Sequence, residues 1–349
     1  MKKFKFLTFL MAVLISGSLI TFTACSDDDD DVISVDKTEL AAKIQEAEDL
    51  LENTTEGTAE GQYIPGSKAP LEEVINLARA VYNDADATQV QVNNAVVALD
   101  QAIEAYEARK VVPIAPEALV GHWTFDEGSG TTLNDFSGNG FHGTLVSGAD
   151  AWGGGLPVWS TDRYGNEGQA LFFNEGAHVS IPNNAALSPS SISISLWVNA
   201  AEIRESNRFM GLHSWNGYKF ELQSINKSFF TIATTEGIYD RDTDPPLEVN
   251  EWYHLAVTFT DGVMTFYIDG TETQVWDNTP GSAVPVSGNA LVFGRDTDEY
   301  AADDSNYDND LIIPLAWGGY FHGLMDEVRI YNTALSAAQI QGIYEQERP

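Results

Sequence analysis

The sequence predicts a mainly β protein: an antiparallel sandwich preceded by a small three-helix bundle. Three observations carry that expectation. Residues 36–110 repeat apolar side chains at helical spacing, and beyond residue 118 the repeat falls to two. Turn residues, drawn from 29 glycines and 13 prolines, punctuate the second part. The chain has 349 residues, 43% of them hydrophobic and 11% aromatic, enough for two or three domains and at least one sizeable core.

The helical part begins at Asp36-x-x-Glu39, a capping-box pattern, with Leu40, Ile44, Ala47 and Leu51 on one face. A connection bearing Gly, Thr and Pro (residues 56–70) leads to Leu71, Val74, Ile75, Ala78 and Tyr82. Thr88-x-x-Gln91 caps a third helix carrying Val92, Val96, Leu99, Ile103 and Tyr106. The Pro-containing stretch 111–117 is extended linker.

Beyond it, SISISLWV sends Ile192, Ile194, Leu196 and Val198 one way and Ser193, Ser195 and Trp197 the other. EWYHLAVTFTDGVMTFYIDGTE is a hairpin turning at Asp261-Gly262. Several such strands between turn signals make a sandwich, and Ser336 with Gln339 caps a short closing helix.

Residues 1–24 stand apart. Lys2, Lys3 and Lys5 precede an apolar run from Phe6 to Ile20, then the small residues Thr23 and Ala24. That is a secretory signal, too short and wrongly flanked for a membrane span. Cys25, the one cysteine, stands where cleavage would leave it first. The segment resembles a bacterial lipoprotein signal, which implies that Cys25 carries acyl chains; the plainer alternative is a last apolar residue of the signal. Acylation would leave no thiol for a disulfide or for catalysis. Asp27 to Asp31 complete an acidic tether over 25–35. Such a run is a solvated spacer, and behind a lipidated cysteine it also resembles the export tag of surface lipoproteins in glycan-foraging Gram-negative bacteria. The resemblance places the protein on the outer membrane, at the cell surface, touching the bilayer through its acyl anchor alone. The formal net charge of −34 argues against nucleic acid and anionic headgroups as partners and suits neutral polymers or cations.

Two further resemblances organise the rest. The stretch 61–106 resembles the FIVAR-type helical modules of bacterial surface proteins, which implies a spacer over 36–110. HWTFDEGSGTTLNDFSGNGFHGTL, GQALFFNEGAHVSIPNN, SISISLWV, EWYHLAVTFTDGVMTFYIDG and YFHGLMDEVRIYNTALSAAQIQGIY, in that order, are similar to laminin-G-like domains. Over 118–349 this implies a concanavalin A-like jelly roll, often calcium-binding, engaged with carbohydrate or adhesive partners.

In LMDEVRIY, strand alternation puts Asp326 on the face of Leu324, Val328 and Ile330, where a carboxylate needs a counter-ion or metal. Asp135 lies in the glycine-rich loop NDFSGNGFHG with Asn139 and His142. Related jelly rolls tie this loop to the DEV strand through calcium, so the expected ligands are Asp135, Asp326, Asn139 and the His142 carbonyl. In the alternative, Asp135 caps a turn and Asp326 pairs with Arg329 or a backbone amide. The acidic stretch DRDTDPPLEVNE breaks the EF-hand pattern at Pro245 and reads as a solvated loop.

No alternating pair of catalytic acids occurs in the sandwich, and Asp326 and Glu327, adjacent in a strand, should point to opposite faces. No catalytic residue is expected. Loop aromatics suited to stacking on sugar are Trp215, Tyr239, Tyr300, Tyr307 and Trp317. The expectation is a non-catalytic surface lipoprotein that binds a polysaccharide or glycoconjugate. The alternatives are a protein-binding adhesion module, or a glycoside hydrolase or lyase with unrecognised acids.

Overall fold

A computed structural model describes residues 35–148, 155–174, 176–203, 206–223, 225–295, 307–308, 313–314 and 319–349. The expected signal, Cys25, the aspartate run, Tyr300 and Trp317 lie outside the described residues. The chain divides into two compact units between Val112 and Pro113.

The first unit is the expected bundle: α1 (Thr38–Glu52), α2 (Lys68–Asn83) and α3 (Gln89–Glu107). Its core gathers Leu40, Ile44 and Ala47 from α1, Leu71 to Ala78 from α2, and Val92 to Tyr106 from α3. Tyr63, in the connection, stacks on Tyr106 at 4.2 Å. The Thr88–Gln91 capping box forms as expected. The start of α1 is different: Asp36 accepts from the Thr38 N–H, and Glu39 makes no reciprocal bond. Tyr82 is 42% exposed, beyond the buried face of α2.

The second unit is a sandwich of two antiparallel sheets, each of eight described strands. The first sheet runs β14 (Thr271–Trp276), β13 (Val263–Ile268), β12 (Tyr253–Thr260), β7 (Ile192–Ala200), β18 (Gly323–Tyr331), β5 (Ala170–Phe173) and β4 (Val158–Ser160). β1 (Leu119–Trp123) also pairs with β18. The second runs β11 (Gly237–Thr243), β10 (Lys227–Thr234), β9 (Tyr218–Gln223), β8 (Asn207–Leu212), β15 (Leu291–Phe293), β6 (His178–Ile181), β3 (Gly143–Val146) and β2 (Thr132–Leu133). A separate hairpin pairs β16 (Tyr307–Asp308) with β17 (Ile313–Pro314).

Alternation builds the core between the sheets. Ile192, Ile194, Leu196 and Val198 of β7 meet Tyr218, Phe220 and Leu222 of β9 and Phe230 and Ile232 of β10 in one cluster. The predicted hairpin is β12–β13, with Thr260 opposite Val263. Asp261 (φ 46°) and Gly262 (φ 84°) are both left-handed, as a two-residue hairpin turn requires.

The other face of the first sheet is buried too. The C-terminal helix α4 (Ala337–Glu347), started by the Ser336–Gln339 box, lays Ile340 and Ile343 against Ala256, Tyr267 and Tyr331. Ser193, Ser195 and Trp197 do face away from the core, yet each is 2% exposed or less.

One flank of the sandwich is closed where the edge strands β11 and β14 meet. Thr243 Oγ1 donates to Thr273 Oγ1 (2.7 Å), and Trp276 Nε1 donates to the Asp242 carbonyl (3.0 Å). The acidic stretch expected to be loop therefore begins as strand, with Lys227 paired to Asp242 and Asp244.

Candidate functional site

The strands of the second sheet place an unexpected set of charges on its outer face. In β9, Tyr218, Phe220 and Leu222 point into the core, so Lys219 and Glu221 point away from it. A bulge between Arg208 and Met210 brings Arg208 of β8 beside them. Glu221 joins the two cations: Oε2 accepts from Arg208 Nε (2.7 Å) and Oε1 from Lys219 Nζ (3.1 Å). All three residues are 0% exposed. Burial and the neighbouring Arg208 push the Lys219 ammonium down to about 8, against the pull of Glu221 and Asp240.

Trp215 sits over this triad. The turn Ser214–Asn216 holds its ring centroid 3.1 Å from Lys219 Nζ and 5.4 Å from the Arg208 guanidinium carbon. Two residues of the turn are left-handed without being glycine, His213 (φ 56°) and Ser214 (φ 34°). Backbone of that kind costs on the order of 1–3 kcal/mol per residue and gathers at functional sites. Gly217 closes the turn against β8, where a Cβ would lie 2.1 Å from the Leu212 carbonyl oxygen. The Trp215 side chain is half-buried, and Asn216 beside it is exposed. On the same face Thr231 donates to Asp240.

Of the five aromatics proposed for ligand contact, only Trp215 is described at such a place. Tyr239 lies opposite Ile232 in the β10–β11 ladder and packs on the sandwich core. It therefore occupies the other face of the sheet, with Arg241 between its ring (5.3 Å) and that of Trp276 (5.1 Å). Tyr307 is a strand residue opposite Pro314.

The residues expected to hold calcium are engaged within the chain. Asp135 accepts four bonds: Oδ1 from the His122 and Ser137 N–H groups, and Oδ2 from the Phe141 N–H and the Ser137 hydroxyl. Burial raises its carboxyl, but these bonds outweigh burial and hold it below the ordinary value. Asn139 donates to the Leu119 and Val120 carbonyls, and the His142 ring accepts from the Asp135 N–H. Asp135 thus caps its own loop, as the alternative reading had it. Asp326 is paired elsewhere, with Arg163. No group of three or more metal-type side chains occurs among the described residues.

Asp326 also occupies the opposite face from the one expected. A β-bulge at Asp326–Glu327, with Glu327 left-handed (φ 53°), breaks the alternation of β18. Met325, Val328 and Ile330 enter the core, while Asp326 and Glu327 both turn outward to Arg163. Glu327 further pairs with His122 (2.8 Å) and Arg329 (2.9 Å), and Glu347 of α4 takes Arg329 and Trp197 Nε1. The network ties α4 to the first sheet.

The same face holds a Ser–His contact that sequence order conceals. Pairing of β7 with β12 brings Ser195 Oγ to 2.8 Å from His254 Nε2. Both residues are 0% exposed, and His254 Nδ1 has no partner. Burial, with Arg329 and Arg163 nearby, drives the imidazole down to about 3, so it stays neutral. A nucleophile needs an oriented base and access to substrate; this contact has neither.

Residues 173–341 match the family model of the concanavalin A-like lectin/glucanases superfamily. A 98-residue stretch is 41% identical to the surface-layer 125 kDa protein of Lysinibacillus sphaericus, spanning 27% of this chain and 8% of that protein. Among solved structures, domain 4 of AbnA, a GH43 extracellular arabinanase from Geobacillus stearothermophilus, in complex with arabinotriose, is 23% identical. Its TM-score is 0.49 over 65% of this chain and 98% of that domain. The receptor-binding domain of botulinum neurotoxin type G is 14% identical, with a TM-score of 0.44 over 66% of this chain and 51% of that one.

Proposed function

We propose that this concanavalin A-like sandwich is a non-catalytic carbohydrate-binding module displayed at a cell surface, with its contact site around Trp215. One observation carries the reading. An indole is fixed over a buried Arg208–Glu221–Lys219 triad by a strained turn, on a sheet face that simple alternation would leave to water. Fixed rings stack on sugar faces, and a ring seated on a locked triad loses little freedom on binding. The lectin/glucanase family match supports carbohydrate as the ligand, and the surface-layer relative supports surface display. Anchoring through an acylated Cys25 and export to the outer surface of a Gram-negative cell complete the proposal.

Affinity electrophoresis of the purified chain in polysaccharide gels tests it. A stacked ring contributes on the order of 0.5–1.5 kcal/mol beyond area burial, so Trp215→Ala should weaken retention several-fold. Retention unchanged by that substitution would move the site elsewhere. Accumulating reducing ends would make the protein an enzyme, and retention by no glycan would favour a protein partner. For the anchor, Cys25→Ser should release the protein from membranes; a variant still sedimenting with them after a salt wash would refute acylation.

A further inference from the structure

Resting on that reading, we infer that the glycan is uncharged. An acidic polysaccharide is held by cations that the protein can turn toward it, and here those cations are committed. On the candidate face Arg208 and Lys219 share Glu221, one on each carboxylate oxygen, and Asp240 adds a second negative charge toward Lys219. Elsewhere on the sandwich Arg163 is held by Asp326, Lys227 by Asp242 and Asp244, and Arg329 by Glu327 and Glu347. Arg348 pairs with Glu345 (2.7 Å), and Arg241 donates to the Asn278 carbonyl (2.7 Å). Every described Lys and Arg of the sandwich is thus engaged within the chain. A uronate or sulfate would compete with these partners for the cations, and would approach a chain of formal charge −34. A neutral sugar meets neither obstacle. Its ring can stack on Trp215 and leave every one of these pairs in place.

The test runs the full chain against neutral polysaccharides (arabinan, xylan, β-glucan, galactomannan) and acidic ones (alginate, polygalacturonate, heparin). Retention by at least one neutral polymer is expected, changing less than about twofold between about 50 mM and about 500 mM salt, since no exposed ion pair is formed. The acidic polymers should not retain it. Retention by acidic polymers alone, lost in salt, overturns this inference and leaves the glycan reading intact. Retention by none overturns the glycan reading and this inference together. Asp242→Asn combined with Asp244→Asn frees the partly exposed Lys227 from both its carboxylates, and should create salt-sensitive retention on alginate. A double variant with wild-type circular dichroism and no such gain would refute the charge-compensation argument.

Discussion

Four donors converge on the carboxylate of Asp135, and that saturation decides what the residue can do. With each oxygen accepting two bonds, removing the charge disturbs the loop and not an ion. Asp135→Asn turns an NH₂ toward groups that themselves donate, leaving at least one buried donor unmet at a cost of about 1–3 kcal/mol. The pH dependence has a definite sign. The folded carboxyl titrates below its unfolded value of 3.8, so its contribution is present above that value and is lost as pH falls through the lower, folded one. Thermal melts from neutral to strongly acid pH should show the gap between wild type and Asp135→Asn closing on the acid side. A gap constant with pH would mean the carboxylate charge is not what matters. The same melts with calcium or chelator should be indistinguishable, because the Asp135 oxygens are both taken and Asp326 is held by Arg163. A calcium-dependent rise in melting temperature would restore the ion-binding expectation.

Strands and helices show where the sequence is transparent and where it is not. The β12–β13 hairpin was readable to the residue, because alternation and an Asp-Gly turn specify register together. Both Ser/Thr–Gln capping boxes were readable for a similar reason: the signal and the bond lie within four residues. β18 was misread because a bulge adds one residue without any mark in LMDEVRIY, and every face assignment before the bulge then inverts. The triad behind Trp215 is intermediate. Lys219 and Glu221 alternate visibly in YKFEL, but Arg208 sits at a bulge, and a reading that looked only for loop aromatics passed over all three. Nothing local announces that α4 will cover the first sheet, since that depends on a partner helix more than a hundred residues from β7. The charge network beneath α4 gives an element-scale prediction. Arg163→Met leaves Asp326 buried and unpaired, which should cost about 3–5 kcal/mol, whereas Ser336→Ala at the start of α4 should cost about 1 kcal/mol. Chemical denaturation of both variants checks the order; equal losses would show that α4 is held by its apolar contacts alone.

Across the whole molecule the two units keep separate cores, and the aromatic content divides with them. All eight tryptophans belong to the second unit, whereas the helical one packs around a tyrosine pair. Each core should melt as its own cooperative step. Tryptophan emission should follow the sandwich alone, and far-ultraviolet circular dichroism both units, so the two melting curves should differ. Superimposable curves would mean that the units unfold as one. The joined flank at β11 and β14 bears on a different matter, the fate of the protein at high local density. A sheet edge with idle N–H and C=O groups is a template on which another chain can add a strand, and from there to fibrils. Here the edge strands of the two sheets lie against each other, tied by the Thr243–Thr273 and Trp276–Asp242 bonds. The opposite edges, β4 and β2, are three and two residues long, too short to seed an intruding strand. Edges this short, or tied to a neighbouring strand, disfavour strand addition between crowded copies.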